Sequence, residues 1–233
     1  MTINSFIEHL KALNIILNDI QLNQLEEYYN LLIEYNKVMN LTGITEKEEV
    51  YLKHFYDSIT LVKMIDLNNV ESLCDIGTGA GFPGLVLKIV FPNLKVTLID
   101  SLNKRINFLN VVIERLDLKK IETIHSRMEE YGVNHREQFD VVTARAVAPT
   151  NVLLEYAIPV VKINGVFVAM KAKTDNEPDL NNCMKELNCS LVDKIEFKLP
   201  YEDSDRTLIK FEKKTKTNKK YPRKNAEIKK KSL

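Results

Sequence analysis

The feature that most constrains the fold is a glycine-rich turn directly behind a short apolar run. Residues 74–84 read CDIGTGAGFPG and hold four of the seven glycines in the chain. Glycine has no Cβ, so it adopts positive φ easily and lets the backbone come close to another group. A strand that ends in such a turn and continues into a helix is typical of α/β ligand-binding proteins. We therefore expect this turn to approach a ligand closely.

Short apolar runs alternate with helical segments from residue 71 onward. This alternation indicates βαβ units and a parallel sheet covered on both faces. The last two runs are separated by a short turn, which predicts an antiparallel hairpin. The predicted strands are 71–76, 94–100, 121–124, 139–144, 163–170, 190–197 and 206–212, and the predicted helices between them are 83–91, 103–116, 150–161 and 177–188. The sequence thus predicts an α/β fold with a doubly wound, seven-stranded, Rossmann-like sheet.

The N-terminal part of the chain predicts a helical appendage. Apolar residues recur there at three- and four-residue steps, the period of an amphipathic helix: Leu22, Leu25, Tyr29, Leu32, Tyr35 and Met39. Residues 45–48 have the spacing of a capping box and predict a further helix that runs toward residues 54–58. The domains that we predict are the helical appendage at 1–66, the α/β domain at 67–212 and a basic C-terminal tail at 213–233.

Charge is distributed unevenly between the tail and the rest of the chain. Residues 212–233 contain ten Lys or Arg and two Glu, which leaves the other 211 residues with a net charge of −7 although the whole chain carries +1. A basic tail on an acidic body indicates contact with a polyanion. A solvated, disordered end that binds nothing is the alternative, because Lys-rich termini are common.

The sequence offers no sign of export, of membrane insertion or of a metal site. The N-terminus MTINSFIEHL has no basic stretch followed by an apolar one, and no apolar run is long enough to cross a membrane. The three cysteines include no C-x-x-C pair and the four histidines are scattered, so neither disulfides nor metal binding is predicted. We expect a cytoplasmic protein without membrane contact.

The spacing of the glycines separates two classes of cofactor. The dinucleotide fingerprint G-x-G-x-x-G requires a third glycine where this chain has Phe82, which weakens the interpretation as an NAD-dependent oxidoreductase. The chain has instead an acid, Asp75, followed by Gly77, Gly79 and Gly81 at every second position. This pattern is typical of methyltransferases that use S-adenosylmethionine, a cationic cofactor without a pyrophosphate group.

Acidic residues follow the second and third predicted strands. Asp100 lies 19 residues after Gly81, where a carboxylate accepts hydrogen bonds from the ribose hydroxyls of an adenosine. NAD and S-adenosylmethionine share this ribose, so Asp100 does not choose between them, and a helix N-cap is the structural alternative. Glu129 is placed to accept a hydrogen bond from the adenine amino group, unless it only adds charge to a helix start.

The residues after the fourth predicted strand narrow the choice of methyl acceptor. Residues 143–149 read TARAVAP and lack the N/D-P-P-Y loop of many methyltransferases that act on exocyclic amines. Cys74 should be buried in the first strand, so it cannot supply the thiolate needed for transfer to a pyrimidine C5. Guanine N7 already has a lone pair and needs only positioning and electrostatic stabilisation. We therefore predict no catalytic nucleophile or base.

Several segments together resemble one family. The chain is similar to the glucose-inhibited division protein B family, bacterial methyltransferases that modify guanine N7 in 16S ribosomal RNA. The resemblance runs from about residue 36 to the C-terminus in the same order and spacing, and it rests on NKVMNLTGI (36–44), KHFYDS (53–58), CDIGTGAGFPG (74–84), LIDSLNKRINFL (98–109), SRMEEY (126–131), FDVVTARAVA (139–148) and YPRKN (221–225).

The resemblance implies S-adenosylmethionine as cofactor and 16S rRNA, in the 30S subunit, as partner of a monomeric enzyme. The predicted cofactor-binding residues are Gly77, Gly79, Phe82, Asp100, Met128, Glu129 and Arg145, of which Arg145 also lines the acceptor cleft. For Phe82 a place in the core is the alternative, and for Arg145 a surface ion pair. The predicted RNA-binding residues are Lys171, Arg223 and Lys224.

The sequence departs from the family pattern at two places, and two other functions remain as alternatives. The chain has Ala172 where relatives have glycine, and Ala226 and Ile228 where relatives have Gly and Pro. We expect the tail to stay mobile until RNA is bound. The alternatives to the methyltransferase are a non-catalytic RNA-binding or assembly factor with the same fold and, on the glycine turn and Asp100 alone, an NAD-dependent oxidoreductase.

Overall fold

Seven strands form one mixed sheet in the computed structural model, which describes residues 1–145, 148–172 and 179–233. The strands are β1 (Ser72–Ile76), β2 (Lys95–Asp100), β3 (Ile121–His125), β4 (Phe139–Arg145), β5 (Val161–Lys171), β6 (Cys189–Lys198) and β7 (Asp205–Lys213). They are ordered β3-β2-β1-β4-β5-β7-β6. The first five strands run parallel, and β7 is antiparallel to both β5 and β6. The predicted doubly wound α/β fold, with its antiparallel hairpin, is confirmed.

Helices precede the sheet and cover both of its faces. The N-terminal part contains α1 (Ile3–Ala12), α2 (Asp19–Met39), α3 (Lys47–Val50), a π-helical turn (Tyr51–Tyr56), α4 (Asp57–Ile59) and two 3₁₀ turns (Thr60–Lys63 and Leu67–Asn69). The later helices are α5 (Gly84–Val90), α6 (Asn103–Arg115), α7 (Met128–Asn134), α8 (Thr150–Ala157), α9 (Asn181–Leu187) and α10 (Asn225–Lys230). Within the described ranges, none of these helices combines the length and the apolar character that a membrane span requires.

Alternating side chains of the central strands enter two separate cores. Leu73 of β1 and Val141 of β4 belong to the core that also contains the N-terminal helices, α5 and α6. Their neighbours Cys74 and Val142 belong to the core under α7, α8 and α9. Successive side chains of a strand point to opposite faces, so strands buried on both faces read as continuous apolar runs. This burial explains why the strands were recognisable in the sequence.

The helices differ from the predicted ones in four respects. Helix α7 was not predicted, because it spans only seven residues and contains Gly132, a poor helix former. The helix predicted at 150–161 ends at Ala157, and β5 begins at Val161. The helix predicted at 177–188 is α9, which begins at Asn181, and residues 177 and 178 lie outside the described ranges. The helix predicted from residues 45–48 begins without a side-chain cap hydrogen bond.

The N-terminal helices are tied to the first helix after the glycine turn. The side-chain amide of Gln21 on α2 donates hydrogen bonds of 2.9 Å to the carbonyl oxygens of Ile89 and Val90 at the end of α5. The hydroxyl of Tyr28, also on α2, donates to the carbonyl oxygen of Ala80 in the turn, at 2.5 Å. These contacts fix the turn from the side of α2, and the predicted appendage shares its core with the sheet.

The basic tail packs against the body, in contrast to the expected mobile end. Lys213, its first predicted residue, is the last residue of β7 and is fully buried, with hydrogen bonds of 3.0 Å from its Nζ to the carbonyl oxygens of Ile158 and Val161. Tyr221 and Ile228 keep only 3% and 1% of their surface exposed. Burial of these apolar groups favours the docked position of the tail.

Candidate active site

The glycine turn after β1 is held from inside by Asp75. This fully buried carboxylate accepts hydrogen bonds through Oδ2 from the hydroxyl of Thr78 (2.7 Å) and the backbone N–H of Gly84 (2.8 Å). Burial raises the pKa of Asp75 to about 6. Gly81 has φ +104°, and a Cβ there would lie 2.6 Å from the hydroxyl oxygen of Tyr28. The turn therefore requires glycine for conformation and for space.

A cavity opens beside this turn at the carboxyl ends of β1, β2 and β3, and we call it the cofactor pocket. Four of the predicted residues line it together: Gly77, Asp100, Met128 and Glu129. The remaining lining residues are Ile76, Ile99, Ser101, Ser126, Arg127, Leu153, Tyr156 and Asn225. The edge at which the pocket opens is where doubly wound sheets bind their ligands.

Asp100 joins the end of β2 to the glycine turn. Its Oδ2 accepts hydrogen bonds from the backbone N–H of Gly79 (2.9 Å) and from the guanidinium of Arg105 (3.1 Å). Its Oδ1 accepts from the backbone N–H of Leu102 (2.9 Å), just before α6. The N-cap of α6 is Leu102 and this helix has no side-chain cap bond, so Asp100 is not the N-cap that was the structural alternative. Its carboxylate fixes the turn before α6 and lines the cofactor pocket. Gly79 is not one of the lining residues given for the pocket, and its backbone N–H is bonded to Asp100, which is one.

Phe82 occupies the core position that was its structural alternative. Its ring keeps 6% of its surface exposed and stacks on the imidazole of His54, with ring centroids 4.4 Å apart. The guanidinium of Arg145 lies 5.1 Å from the centre of the same ring. Phe82 is not among the residues that line the cofactor pocket. Tyr28 of α2 and Phe55 of the π-helical turn pack against the ring, so the structure shows a packing role for Phe82, and its contact with the cofactor stays a prediction.

Arg145 lines a second cavity, which we call the basic pocket. The cavity lies at the ends of β4 and β5, next to the π-helical turn, and four cationic side chains contribute to it: Lys53, Arg145, Lys171 and Arg206. Its other lining residues are Ile44, His54, Asp57, Met170, Ala172 and Leu208. Residues 146 and 147 of the quoted FDVVTARAVA segment lie outside the described ranges. The structure thus separates Arg145 from the four predicted residues that line the cofactor pocket and places it next to Phe82.

Asp57 connects two arginines of the basic pocket. One carboxylate oxygen lies 3.3 Å from the guanidinium of Arg145, and the other accepts a 3.0 Å hydrogen bond from Arg206. Arg145 also donates to the carbonyl oxygen of Lys53 at 3.1 Å. All these groups are largely buried, so the ion pairs are screened less than surface pairs. These contacts fix the side chain of Arg145 at the carboxyl end of β4.

His54 is an uncharged acceptor for Arg145. The imidazole Nδ1 lies 3.3 Å from a guanidinium nitrogen of Arg145, and Nε2 lies 2.8 Å from the hydroxyl of Thr42. An arginine only donates hydrogen bonds, so its bond to Nδ1 requires the proton on Nε2. The carbonyl oxygen of Lys53 lies 3.2 Å from the same Nδ1 and would require the proton there. Burial, and then the charge of Arg145, lower the pKa of His54 to about 3. Both ring nitrogens of His54 are thus engaged by protein groups, among them the guanidinium of Arg145.

The three predicted RNA-binding residues lie in different surroundings. Lys171 lines the basic pocket and donates to the hydroxyl of Thr150 at 2.8 Å. Arg223 forms an ion pair of 2.6 Å with Glu155, whose side chain is fully buried. Lys224 is exposed next to the start of α10. The structure brings none of the three together, and it gives Arg223 a structural partner within the protein.

Several lining residues were not predicted although their segments had been noticed. His54 and Asp57 belong to the segment KHFYDS, and Asn225 closes the segment YPRKN. Both segments carried the family resemblance, but no local pattern assigns a chemical role to them. No sequence pattern pointed to Arg206 or Tyr156. Arg206 reaches the basic pocket because β7 is part of the sheet, and Tyr156 reaches the cofactor pocket because α8 packs next to it.

The cofactor pocket suits S-adenosylmethionine on its own chemistry. Two carboxylates, Asp100 and Glu129, line it, and they suit hydroxyl and amino donors as well as a cationic sulfonium. Met128 and Tyr156 add apolar surface for a purine ring. Gly77 has φ +67° and presents no side chain. The side-chain oxygen of Asn225 is buried and has no hydrogen-bond partner in the described part of the chain.

Comparison with known proteins identifies the family. The family model described as rRNA small subunit methyltransferase G, GidB, matches residues 21–204. The ribosomal RNA small subunit methyltransferase G of Bacillus thuringiensis (strain Al Hakam) is 49% identical over 228 residues, which cover 96% of this chain and 95% of that relative. The protein of the same name from Bacillus anthracis (strain A0248) has the same identity and coverage.

Solved structures share the fold at low sequence identity. A SAM-dependent methyltransferase from Aquifex aeolicus is 17% identical with a TM-score of 0.54, and the match covers 71% of this chain and 93% of that one. M. jannaschii TYW2, solved in complex with AdoMet, is 20% identical with a TM-score of 0.53, covering 63% of this chain and 70% of that one. These similarities support the fold alone. The family match and the curated relatives show that the chain belongs to the rRNA small subunit methyltransferase G (GidB) family, which confirms the methyltransferase class and the cofactor S-adenosylmethionine predicted from the sequence.

Proposed function

We propose that this protein transfers a methyl group from S-adenosylmethionine to N7 of a guanine in the 16S ribosomal RNA of the small subunit. The observation that carries the proposal is the side-by-side placement of the two pockets. The cofactor pocket lies at the end of β1 and the basic pocket at the end of β4, and these strands pair directly in the sheet. A cofactor and an acceptor bound there would meet at the carboxyl edge of the sheet.

The cofactor pocket would hold S-adenosylmethionine through four predicted residues. Asp100 has an acceptor oxygen for the ribose, and Met128 and Glu129 lie where the adenine would be bound. Gly77 leaves its backbone accessible at the turn. The cofactor supplies an electrophilic methyl group on a sulfonium. The protein contributes the fixed position of that group, because the turn is held by Asp75 and Asp100.

The basic pocket would hold the acceptor nucleotide. Lys171 and Arg206 would add positive charge for RNA phosphates, whereas the ammonium of Lys53 is paired with Glu49 and Glu202. The guanidinium of Arg145 is oriented by His54 and Asp57. Arginine donates several hydrogen bonds in a fixed plane, which suits phosphate oxygens and the O6 of guanine, and it leaves the lone pair of N7 free for the methyl group. We propose Arg145 as the acceptor contact and keep Lys171 and Lys224 as phosphate contacts.

Guanine N7 fits this site because the reaction there needs no base. The one imidazole of the basic pocket, His54, is occupied by Arg145 and Thr42. Cys74 is fully buried, and burial raises the pKa of its thiol well above the usual range, so it cannot attack a pyrimidine ring. A nucleophile with its own lone pair needs only alignment and a suitable electrostatic environment.

The surroundings of the reaction follow from the same proposal. We propose that the protein acts in the cytoplasm as a monomer, on rRNA or on the 30S subunit. The exposed lysines of the tail, which include Lys224, Lys229 and Lys230, would add long-range attraction for this polyanion.

The proposal is tested by incubating the purified protein with labelled S-adenosylmethionine and 30S subunits from cells that lack the gene. We expect label in 16S rRNA, and mass spectrometry of the digested RNA should identify 7-methylguanosine. Arg145→Lys keeps the charge but loses the planar contacts, so it should reduce transfer while cofactor binding persists. RNA binding without any transfer would favour a non-catalytic assembly factor, and affinity for NAD instead of S-adenosylmethionine would favour an oxidoreductase.

A further inference from the structure

Asn225 is a residue of the basic tail that lines the cofactor pocket. It begins the short helix α10 and shares the pocket wall with Asp100, Met128 and Glu129. Its neighbours Lys224 and Ala226 are exposed. Among residues 223–227, Asn225 is thus the one that faces the pocket, and the rest of this stretch faces Glu155 or solvent.

The segment before Asn225 is fixed to the two helices that form the pocket wall. The guanidinium of Arg136 donates a 2.6 Å hydrogen bond to the carbonyl oxygen of Tyr221. A Cβ on Gly132 of α7 would lie 3.1 Å from Pro222, so the tail and α7 are in close contact. On the other side, Arg223 is paired with Glu155 of α8. The position of Asn225 at the pocket is therefore set by contacts on both sides.

The side-chain oxygen of Asn225 has no hydrogen-bond partner among the residues that the structure describes. It is one of three buried side-chain oxygens without a hydrogen bond in the described ranges, the others being those of Asp75 and Asn151. Of these three residues only Asn225 lines the cofactor pocket. A buried amide oxygen that stays unpaired is unfavourable, so a hydrogen-bond donor of the ligand is the expected partner.

The geometry points to the adenine amino group as that donor. We propose that Asn225 accepts a hydrogen bond from the 6-amino group of the cofactor, so that the basic tail is part of the cofactor site. A carboxamide presents an acceptor and a donor side by side, which matches the amino group of adenine and an adjacent ring nitrogen. The amino group has two hydrogens, so Glu129 and Asn225 can both accept from it. This inference rests on the proposed methyltransferase function.

The test compares two ligands and two forms of the full-length protein by isothermal titration. The ligands are S-adenosylhomocysteine and the analogue that lacks the 6-amino group. We expect Asn225→Ala to weaken binding of S-adenosylhomocysteine about tenfold, the effect of one or two hydrogen bonds, and to leave binding of the analogue nearly unchanged. Equal losses for both ligands, or no loss for either, would overturn the inference.

Two further variants keep the test interpretable. Asn225→Asp retains the acceptor oxygen, so it should retain the preference for the amino group even if the alanine variant proves unstable. Glu227→Gln changes an exposed residue of the same helix and should bind both ligands as the wild type does. If the wild type binds neither ligand, the proposed function fails together with the inference. If it binds S-adenosylhomocysteine tightly and both Asn225 variants do the same, only the inference fails.

Discussion

Arg223 of the tail and Glu155 of α8 form an ion pair with two side-chain hydrogen bonds, Nε to Oε1 at 2.8 Å and Nη2 to Oε2 at 2.6 Å. The backbone N–H of Arg223 adds a third bond to Oε1 at 2.9 Å. The carboxylate is fully buried and the arginine side chain is 20% exposed. Such planar, two-bond pairing is the strongest form of charge-assisted hydrogen bond. It makes the tail a structural part of the methyltransferase domain.

We predict that Arg223→Ala destabilises the protein strongly. The substitution leaves the buried carboxylate of Glu155 without its cation, which costs about 3–5 kcal/mol in comparable pairs. Denaturant-induced unfolding measures this loss. Lys220→Ala is the matched control, because it breaks the more exposed pair of Lys220 with Glu186, and such pairs contribute about 0–1 kcal/mol. Similar small losses for both variants would show that the tail is held by its apolar contacts alone.

The exposed lysines near the end of the tail should control the salt dependence of RNA binding. Lys229, Lys230 and Lys231 are exposed, and each cation that meets a phosphate of unpaired RNA contributes about 0.7 to the slope of log K against log salt. Changing all three to glutamine should therefore reduce the slope by about 2. The assay is binding of a 16S rRNA fragment at several salt concentrations.

Cofactor affinity is the control for this triple variant, and it should not change, because the cofactor pocket is lined by Asn225 and not by these lysines. Neutralisation replaces the simpler experiment of deleting the tail. A truncation before Lys213 would remove the buried amine that binds the carbonyl oxygens of Ile158 and Val161, and it would confuse RNA binding with unfolding. A slope equal to that of the wild type would assign RNA attraction to the basic pocket instead.

Asp100→Asn should weaken cofactor binding and also lower the stability of the free protein. A hydrogen bond to a charged acceptor contributes about 1.5–3 kcal/mol, and we expect that loss for the ribose. The structure adds a second effect, because Asp100 also accepts hydrogen bonds from Gly79, Leu102 and Arg105. Titration calorimetry and thermal unfolding without cofactor measure the two effects separately. A normal affinity combined with lost stability would reduce Asp100 to a structural residue.

The stability of the protein should depend on pH through His54. Its pKa is lowered from 6.5 to about 3, so between these values the unfolded chain takes up a proton that the folded protein does not bind. The free energy of unfolding therefore falls on acidification in this window, by at most about 1.4 kcal/mol per pH unit. The pKa of Asp75, raised from 3.8 to about 6 by burial, acts in the opposite direction.

The contribution of His54 to the pH dependence of stability can be measured by comparing the wild type with a variant that does not titrate at this position. His54→Gln keeps an acceptor for Arg145 but does not titrate, so its stability should decline less than that of the wild type between pH 6.5 and pH 4. Unfolding in urea at a series of pH values gives both curves. Parallel curves would mean that His54 is protonated in the folded protein as readily as in the unfolded one.

Much of the fold could be predicted because its signals are local. Gly77 directly follows the apolar run of β1, and Asp100 is the last residue of β2. The parallel sheet brings the ends of these strands to one edge. The glycine turn and Asp100 could therefore be grouped from strand-end signals, whereas Met128 and Glu129 were assigned to the adenine by the family resemblance. Gly77, Asp100, Met128 and Glu129 line one pocket.

The contacts that the sequence could not predict are long-range. Phe82 was expected at the cofactor, but α2 and the π-helical turn cover it with Tyr28 and His54. Arg223 was expected on RNA, and its partner Glu155 is 68 residues away in the chain. No periodicity or spacing encodes such pairs. The same reason hid the contribution of Asn225 to the cofactor pocket.

The place of β7 between β5 and β6 has a consequence for how the protein is made. Synthesis proceeds from the N-terminus, and domains begin to fold as the chain emerges. The glycine turn and Asp100 leave the ribosome early, but β7 must insert beside β5, and the segment with Asn225 follows still later. A nascent chain thus has the residues of the turn long before it has a closed pocket. A chain that ends before residue 225 would keep the glycine turn but lack one wall residue of the cofactor pocket, so we expect it to bind the cofactor less tightly than the full chain.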